Sequence, residues 1–560
     1  MRALPPPLRP WRSTAPLLVA IGLALALVGL APTLQAQAAG RTAAATENPL
    51  ATRAAIAQMR AGGNAIDAAV TAALVGGVVS PVSSGIGGGG FAMVWDATKK
   101  QPVLIDFREL APRGIDAAAY EKRPFPLAEG GRYTGVPGEL RGLYELHRRF
   151  GKRKWSDDVA PAIQLAEKGF PVERHVAEML RYFGGKLKQD PGIASVFFPG
   201  GKPVAAGRRV KNPKLAATLK RVAAEGPKAL YTGPVADDLV KAAHAHHGSL
   251  SLADLAAYKP VVRAPIHVKW EGYDVYTMNL PSAGGMMLAQ TLEMYPRAYL
   301  EKLGFNSGAY QHMIAEAMRA SISDRMRFLG DPAFQKVDMH ALISPERMKK
   351  RRARIALDRT HAIPRFDLDE HGTHHLVTAD AAGNVVSLTT TVNTVFGAKY
   401  TGPDSGVVLN DEMNDFTKSK DVAPFGLKQS PNRPRPGARP ISSMTPTIVV
   451  KDGRAVLALG GSGGTTIATN VTQMVLSVLA FGHTPTQALA ARRFYTPTHG
   501  RTMLLEKGVP AQVVKDLGWR GEIVGKMPFT SSAVQMIAID KNGTKHPAAD
   551  PRKHASAMAR

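Results

Sequence analysis

Across 560 residues there is no cysteine. That excludes disulfide staples, a thiol nucleophile and thiolate-bound metal, so covalent chemistry falls to Ser, Thr, Lys or a carboxylate. Aromatic residues are sparse at 6%, and none interrupts the densest basic run, MKKRRAR at 348–354. Without aromatic stacking platforms that run does not suit single-stranded nucleic acid. It reads as the solvated face of a helix, and no nucleic-acid partner is expected. Acidic residues are also few: 45 Asp and Glu against 71 Lys and Arg leave a net charge of +26. Such a surface favours weak association with anionic envelope polymers or lipid headgroups. Long apolar runs are scarcer still. The one example, Ala15–Ala31, follows Arg2, Arg9 and Arg12 and precedes Ala36-Gln37-Ala38, the layout of a cleavable secretory signal. The run is short for a bilayer span of roughly 20 residues. The expectation is a signal over 1–38 and a periplasmic or secreted protein, held together by core burial alone.

What is present changes texture along the chain. ENPLATRAAIAQMRAGGNAIDAAVTAALVGGVVSP reads as two alanine-rich helices split at Gly62-Gly63, with Asn64 as N-cap and Asp67 three residues later. In SSGIGGGGFAMVWD, Gly85, Gly87 and Gly90 fit G-x-G-x-x-G. A dinucleotide site needs a strand before that pattern and a helix after it. Here the order is reversed, which leaves a glycine turn where backbones approach closely. PVLIDFRELAPR reads as a strand ending at Arg108-Glu109. Residues 135–260 are patterned mostly as helix, PIHVKWEGYDVYTMNLP as a strand pair, and helices resume to about residue 355. His244, His246 and His247 end a helix with no carboxylate at ligand spacing, so no metal site is expected there.

From residue 373 strands take over. HHLVTAD and NVVSLTTTVNT flank AAG, a three-residue hairpin loop with Gly383 at the left-handed position. Pairing Asp380 with Asn384 and counting back sets Thr373 opposite Thr391, with Cβ atoms about 4.5–5.5 Å apart. A threonine hydroxyl is a poor nucleophile without a base beside it. His375 shares the face of Thr373 but lies about 6–7 Å along the strand, and no acid is placed to orient it. Cutting the Gly372–Thr373 bond would supply a base directly. The released α-amine titrates near 7.7–8.0, close to the operating pH that suits a general base. Further on, ISSMTPTIVV brings Ser442 and Ser443 into a strand. VLALGGSGGTTIATNVTQ reads strand, glycine turn, helix, so that Gly463 and Gly464 offer backbone N–H groups at a helix N-terminus, an anion or oxyanion site.

From about residue 45 to AADPR near 552, the sequence resembles the γ-glutamyltransferase (γ-glutamyl transpeptidase) family of the N-terminal nucleophile hydrolases. The carriers are GGNAIDAAV, SSGIGGGGF, DFRELAP, GTHHLVTAD, TTTVNTVFG, LNDEMNDF, RPISSMTPTIV and GGSGG, in one order. The resemblance implies an α+β fold, a four-layer αββα sandwich. It implies a precursor that cuts itself at Gly372–Thr373 into a large subunit, 39–372, and a small one, 373–560, which stay together. Thr373 would be the nucleophile, supported by Thr391, with Gly463 and Gly464 as the oxyanion hole. Arg108, Ser442 and Ser443 match positions that hold the α-carboxylate of a γ-glutamyl group; Asn393, Glu412 and Asp415 match those that hold its α-amine. The donor would be glutathione or a similar γ-glutamyl amide, the acceptor water or an amine or peptide, with no cofactor or metal. His371, His374 and His375 are then flanking residues rather than a metal cluster. Two departures stand out: His374 occupies a position usually held by a small residue, and Phe425, in the lid loop 425–440, occupies one often held by tyrosine. Alternatives are a β-lactam acylase of the same superfamily, an enzyme acting on poly-γ-glutamate, or a non-processing relative that binds the envelope through its basic surface.

Overall fold

The structure, a computed structural model, describes residues 39–122, 130–365, 372–496, 500–527 and 532–560. The expected signal, 1–38, and His371 lie outside the described residues. Among the described residues no helix is long and apolar enough to cross a membrane.

A seven-stranded and a six-stranded antiparallel sheet form the centre. Their strands, in chain order, are β1 (Ala43–Thr46), β2 (Gly89–Asp96), β3 (Gln101–Asp106), β4 (Val261–Arg263), β5 (Ile266–Trp270), β6 (Tyr273–Thr277), β7 (Gly372–Ala379), β8 (Val385–Asn393), β9 (Thr447–Lys451), β10 (Arg454–Ser462), β11 (Ala533–Ile539), β12 (Lys545–Ala549) and β13 (Ser556–Ala559). The first sheet runs β13-β1-β7-β8-β2-β3-β4 and the second β12-β11-β10-β9-β6-β5. Segments from either side of Gly372 interleave. β1 lies between β7 and β13, β8 pairs with β2, and β9 pairs with β6.

Side chains that alternate along the strands divide the apolar residues between two cores. Ala43, Ala45, Phe91, Met93, Trp95 and Val377 point toward the second sheet and share one apolar cluster with its Ile448 and Ala458. Their neighbours Ala44, Ala92, Val94 and Leu376 point the other way, under the helices α1 (Pro49–Arg60) and α2 (Ala65–Val79). On the far face of the second sheet lie α3 (Gly284–Met294), α4 (Gly308–Phe328) and α5 (Thr466–Leu479), whose Met286, Met318 and Val471 belong to the same continuous apolar cluster. The order of layers is helix, sheet, sheet, helix, as the sequence led us to expect.

The expected capping box is present: Asn64 Oδ1 accepts the Asp67 amide at 3.1 Å, and Asp67 Oδ2 accepts the Asn64 amide at 2.8 Å. Every residue of α2 except Gly77 is buried; a helix apolar all round has no solvent face and sits inside. It lies directly on β7, where Thr378 Oγ1 donates to the Ala65 carbonyl at 2.7 Å.

Three expectations need correction. The strand through Arg108-Glu109 stops at Asp106, because Asp106 Oδ1 accepts the Arg108 amide at 2.9 Å and turns the chain. The basic run at 348–354 is only partly solvated. Arg351 donates to Asp324 at 2.8 Å from both guanidinium nitrogens, and Arg352 lies 4.2 Å over the ring of Tyr299. The β7–β8 hairpin keeps its expected register from Ala379/Val385 to His374/Thr390, then slips: Gly372 faces Asn393. That bulge changes the site.

Candidate active site

Thr373 is the second residue of β7 and is buried. Because of the bulge, Thr391 does not address the Thr373 hydroxyl across the hairpin. Its Oγ1 donates instead to the carbonyl oxygen of Gly372, in the peptide bond that would be cut, and accepts the Asn393 amide at 2.8 Å. Asn393 stands at φ +74° and its Nδ2 donates to the Asp411 carbonyl at 3.1 Å. A non-glycine residue held at positive φ is a local strain that its surroundings must impose, and here both of its nitrogens are tied down.

Neither neighbouring histidine serves as a base. His375 points between the sheets, where its Nδ1 shares a hydrogen bond of 2.8 Å with Thr389 Oγ1, and burial holds it neutral, well below the usual histidine range. His374 points the opposite way, into a gap on α2: a Cβ on Gly76 would lie 2.5 Å from its ring. Burial, with a smaller contribution from Lys553, pushes His374 down to about 3. The bulky departure at 374 is thus an uncharged side chain accommodated by a glycine, on the face away from the second sheet.

Gly463 and Gly464 form the turn between β10 and α5, at φ +114° and +60°. Neither amide donates to another group among the described residues. A Cβ on Gly463 would lie 2.7 Å from Ser532 Cα, so both backbone angle and space demand glycine. The turn is braced from behind, where Ser532 Oγ donates to the Ser462 carbonyl at 2.7 Å.

The charged residues meet in one buried cluster. Arg108 is fully buried and donates through Nη1 to Glu412, through Nη2 to Asp415, and through Nε to the Pro440 carbonyl at 3.2 Å. Glu412 and Asp415 sit on a single helical turn fixed by the residues before them. Asn410 Nδ2 donates to the carbonyls of Gly87 at 2.8 Å and Gly135 at 3.0 Å, and Asp411 accepts the Thr394 amide at 2.9 Å. Ser442 Oγ accepts the Met444 amide at 3.0 Å, and Ser443 Oγ accepts from Arg325 Nη1 at 2.6 Å.

Sequence reasoning missed two members of this cluster. Arg325, on α4, reaches Ser443 from a helix that carries no motif. Glu109 lies 3.9 Å from Arg108 and is fully buried. Burial pushes its carboxyl up to about 8 against the pull of Arg108, and burial likewise raises Glu412. One guanidinium thus faces three carboxyl groups, at least one of them protonated near neutrality. The adjacency of Glu109 to Arg108 was the available signal.

The loop 425–440 is anchored at its middle and near its end: Asn432 Nδ2 donates to the Asp415 carbonyl at 2.8 Å, and the Arg439 amide to Asp331 at 2.7 Å. Phe425 is buried. Of the histidine trio, His244 bonds the Leu250 carbonyl at 2.8 Å and His246 stacks 4.2 Å from Tyr400. Two other groups have ligand-like spacing, Asp67–His147–Asp158 and His312–Glu316–Glu522. Both are occupied internally. Asp67 caps α2, His147 bonds Asp158 at 2.9 Å, and Arg319 donates to both glutamates of the second group.

A two-sheet sandwich flanked by helices, with a threonine strand abutting a glycine turn, is the frame of the N-terminal nucleophile hydrolases. The chain belongs to the gamma-glutamyltranspeptidase family, whose model matches residues 51–560. The glutathione hydrolase proenzyme of Bacillus subtilis (strain 168) is 35% identical over 541 residues, covering 92% of this chain and 90% of its own. An acylase ACY 1 proenzyme of Pseudomonas sp. (strain V22) is 34% identical over 512 residues, covering 89% and 90%. Among solved structures, a cephalosporin acylase from Bacillus halodurans superposes with a TM-score of 0.83 at 25% identity, over 93% of this chain and 96% of that one.

Proposed function

We propose that the chain is an exported precursor that cuts itself at Gly372–Thr373 and then transfers γ-glutamyl groups, from glutathione or similar amides, to water or to an amine or peptide acceptor. The observation that carries this reading is the union of Arg108 with Glu412 and Asp415 in one buried cluster. Arginine paired with carboxylates is the complement of a zwitterion. An incoming α-carboxylate replaces the carboxylates on the guanidinium while the α-ammonium takes them, both through charge-assisted hydrogen bonds. Arg325 behind Ser443 adds positive potential on the carboxylate side.

In the precursor, Thr373 Oγ attacks the Gly372 carbonyl carbon, whose oxygen is polarised by the Thr391 hydroxyl. The Thr373 amide nitrogen leaves with a proton, and the resulting ester is opened by water. The free α-amine then takes the proton from Thr373 Oγ as it attacks the γ-carbonyl of a donor. The amides of Gly463 and Gly464 stabilise the oxyanion, the donor amine leaves with the proton, and water or a second amine releases the glutamyl group from Thr373. Fragments 39–372 and 373–560 would remain paired, since β1 lies within strands of the small subunit and β8 and β9 pair with strands of the large one.

A second reading, a β-lactam acylase that accepts side chains without the amine, draws on the acylase relatives and on Phe425 in the loop. Retention of Glu412 and Asp415 favours γ-glutamyl substrates. The two are separated by comparing γ-glutamyl and glutaryl anilides, which differ only in the α-amine. A site built to pair that amine rejects the analogue lacking it by orders of magnitude, so a preference of about 100-fold or more for the γ-glutamyl compound is expected. Equal rates, or a preference for glutaryl, would transfer the chain to the acylases.

A further inference from the structure

Lysine is almost never fully buried unless paired. Lys553 is 4% exposed; its Nζ donates to Ser462 Oγ at 2.8 Å and to Glu47 Oε2 at 3.4 Å. The other oxygen of Glu47 accepts the His375 amide at 3.1 Å. Four separate pieces of chain meet here. Glu47 follows β1, His375 lies two residues past Thr373, Ser462 ends β10 immediately before Gly463-Gly464, and Lys553 lies in the turn leading to β13. The β1–β7 ladder ends at Thr46 opposite Leu376. Beyond it the His375 amide is met by a carboxylate rather than by a backbone carbonyl, which lets β1 turn away from the nucleophile end of β7. Burying two charges is costly, and apolar replacements of such pairs are often neutral or stabilising, so stability alone gives no reason for this one. What it fixes is geometry. One end of the pair grips the strand that carries Thr373 and the other grips the residue before the oxyanion turn.

We propose that Glu47 and Lys553 are positioning residues for the reaction at Thr373, holding the nucleophile strand and the Gly463–Gly464 turn at a set separation and doing so across the two fragments. The inference rests on the reading of Thr373 as nucleophile. Glu47 precedes the cut and the other three residues follow it, so the clamp ties the large fragment to both catalytic elements of the small one. Among the described residues, neither side chain bonds Arg108, Glu412 or Asp415.

The test uses the full chain with Lys553→Met, Glu47→Gln and the double variant. Unfolding temperature, the half-time of self-cleavage, and kcat and KM on a γ-glutamyl anilide are measured for each. The double variant removes both charges, so it is expected to unfold within a few degrees of wild type. Its self-cleavage and its kcat are expected to slow by about 10- to 100-fold, since small misplacements of reacting groups cost that much, with KM changed less than about threefold. A stable double variant with wild-type half-time and kcat would overturn the clamp and leave the pair as packing. Wild type that cuts itself but ignores γ-glutamyl donors would overturn the donor reading, with the half-times still deciding the clamp. Wild type that never cuts would overturn both.

Discussion

Replacing Thr391 by valine preserves side-chain shape and removes one hydroxyl. That hydroxyl donates to the Gly372 carbonyl and accepts the amide of Asn393 at 2.8 Å. The two losses have different magnitudes and different readouts. Deleting one donor from a carbonyl oxygen that becomes an oxyanion costs about 2.7–4 kcal/mol of barrier, or 10²- to 10³-fold in rate. Orphaning a buried amide costs about 1–3 kcal/mol of stability. Thr391→Val is therefore expected to lengthen the self-cleavage half-time by about 10²- to 10³-fold, and to lower the denaturant midpoint modestly. Thr391→Ser, which keeps the hydroxyl, should cut within about tenfold of wild type. Purified precursor is followed by denaturing gel over time, beside an unfolding titration of each variant. Valine cutting at the wild-type rate would refute the role of the hydroxyl. Serine as slow as valine would show that the methyl group's packing, not the hydrogen bond, is what matters.

Two further predictions concern buried groups. Gly76→Ala should destabilise the protein, because its Cβ would lie 2.5 Å from the His374 ring, and His374→Ser should leave a cavity; together they should recover at least about 1 kcal/mol of the summed loss in a double-mutant cycle, with self-cleavage intact throughout, whereas additive losses would contradict the packing account. Glu139 is fully buried, and burial pushes its carboxyl up from 4.5 to about 8. Between those values the folded chain holds a proton that the unfolded chain has lost, so the Glu139 contribution to stability is greatest below about 4.5 and falls as pH rises to about 8, by about 1.4 kcal/mol per unit and at most about 5 kcal/mol. Glu139→Gln should gain on wild type progressively over that window in denaturation curves; a difference independent of pH would contradict the shift.

Much of the frame was legible because it is written locally. Asn64 and Asp67 announce their own capping box, Gly383 sets the hairpin, and the glycines from 87 to 90 mark close approaches that a Cβ would block, as at Gly88 against the Thr391 carbonyl. Counting along a hairpin fails where a bulge inserts a residue. The slip between Thr390 and Asn393 therefore moves the Thr391 hydroxyl from Thr373 to the Gly372 carbonyl. The end of β3 was misplaced by two or three residues because an Asp106 side chain, not a glycine or proline, turns the chain there. Arg325 and the Glu47–Lys553 pair were invisible for a different reason. Their partners lie 118 and 506 residues away in sequence, and no spacing rule spans such distances. His374 looked like an obstacle until its ring was found against Gly76, on the opposite face from the second sheet.

The most direct test of the central claim is the intact mass of the purified protein under denaturing conditions, with N-terminal sequencing of the smaller species. Two species whose masses sum to the precursor plus one water, the smaller beginning Thr-His-His-Leu, are the predicted result, since only that cut places a free amine on Thr373. A single chain that stays whole through long incubation at mildly alkaline pH, or a small fragment that begins at any other residue, would contradict the account.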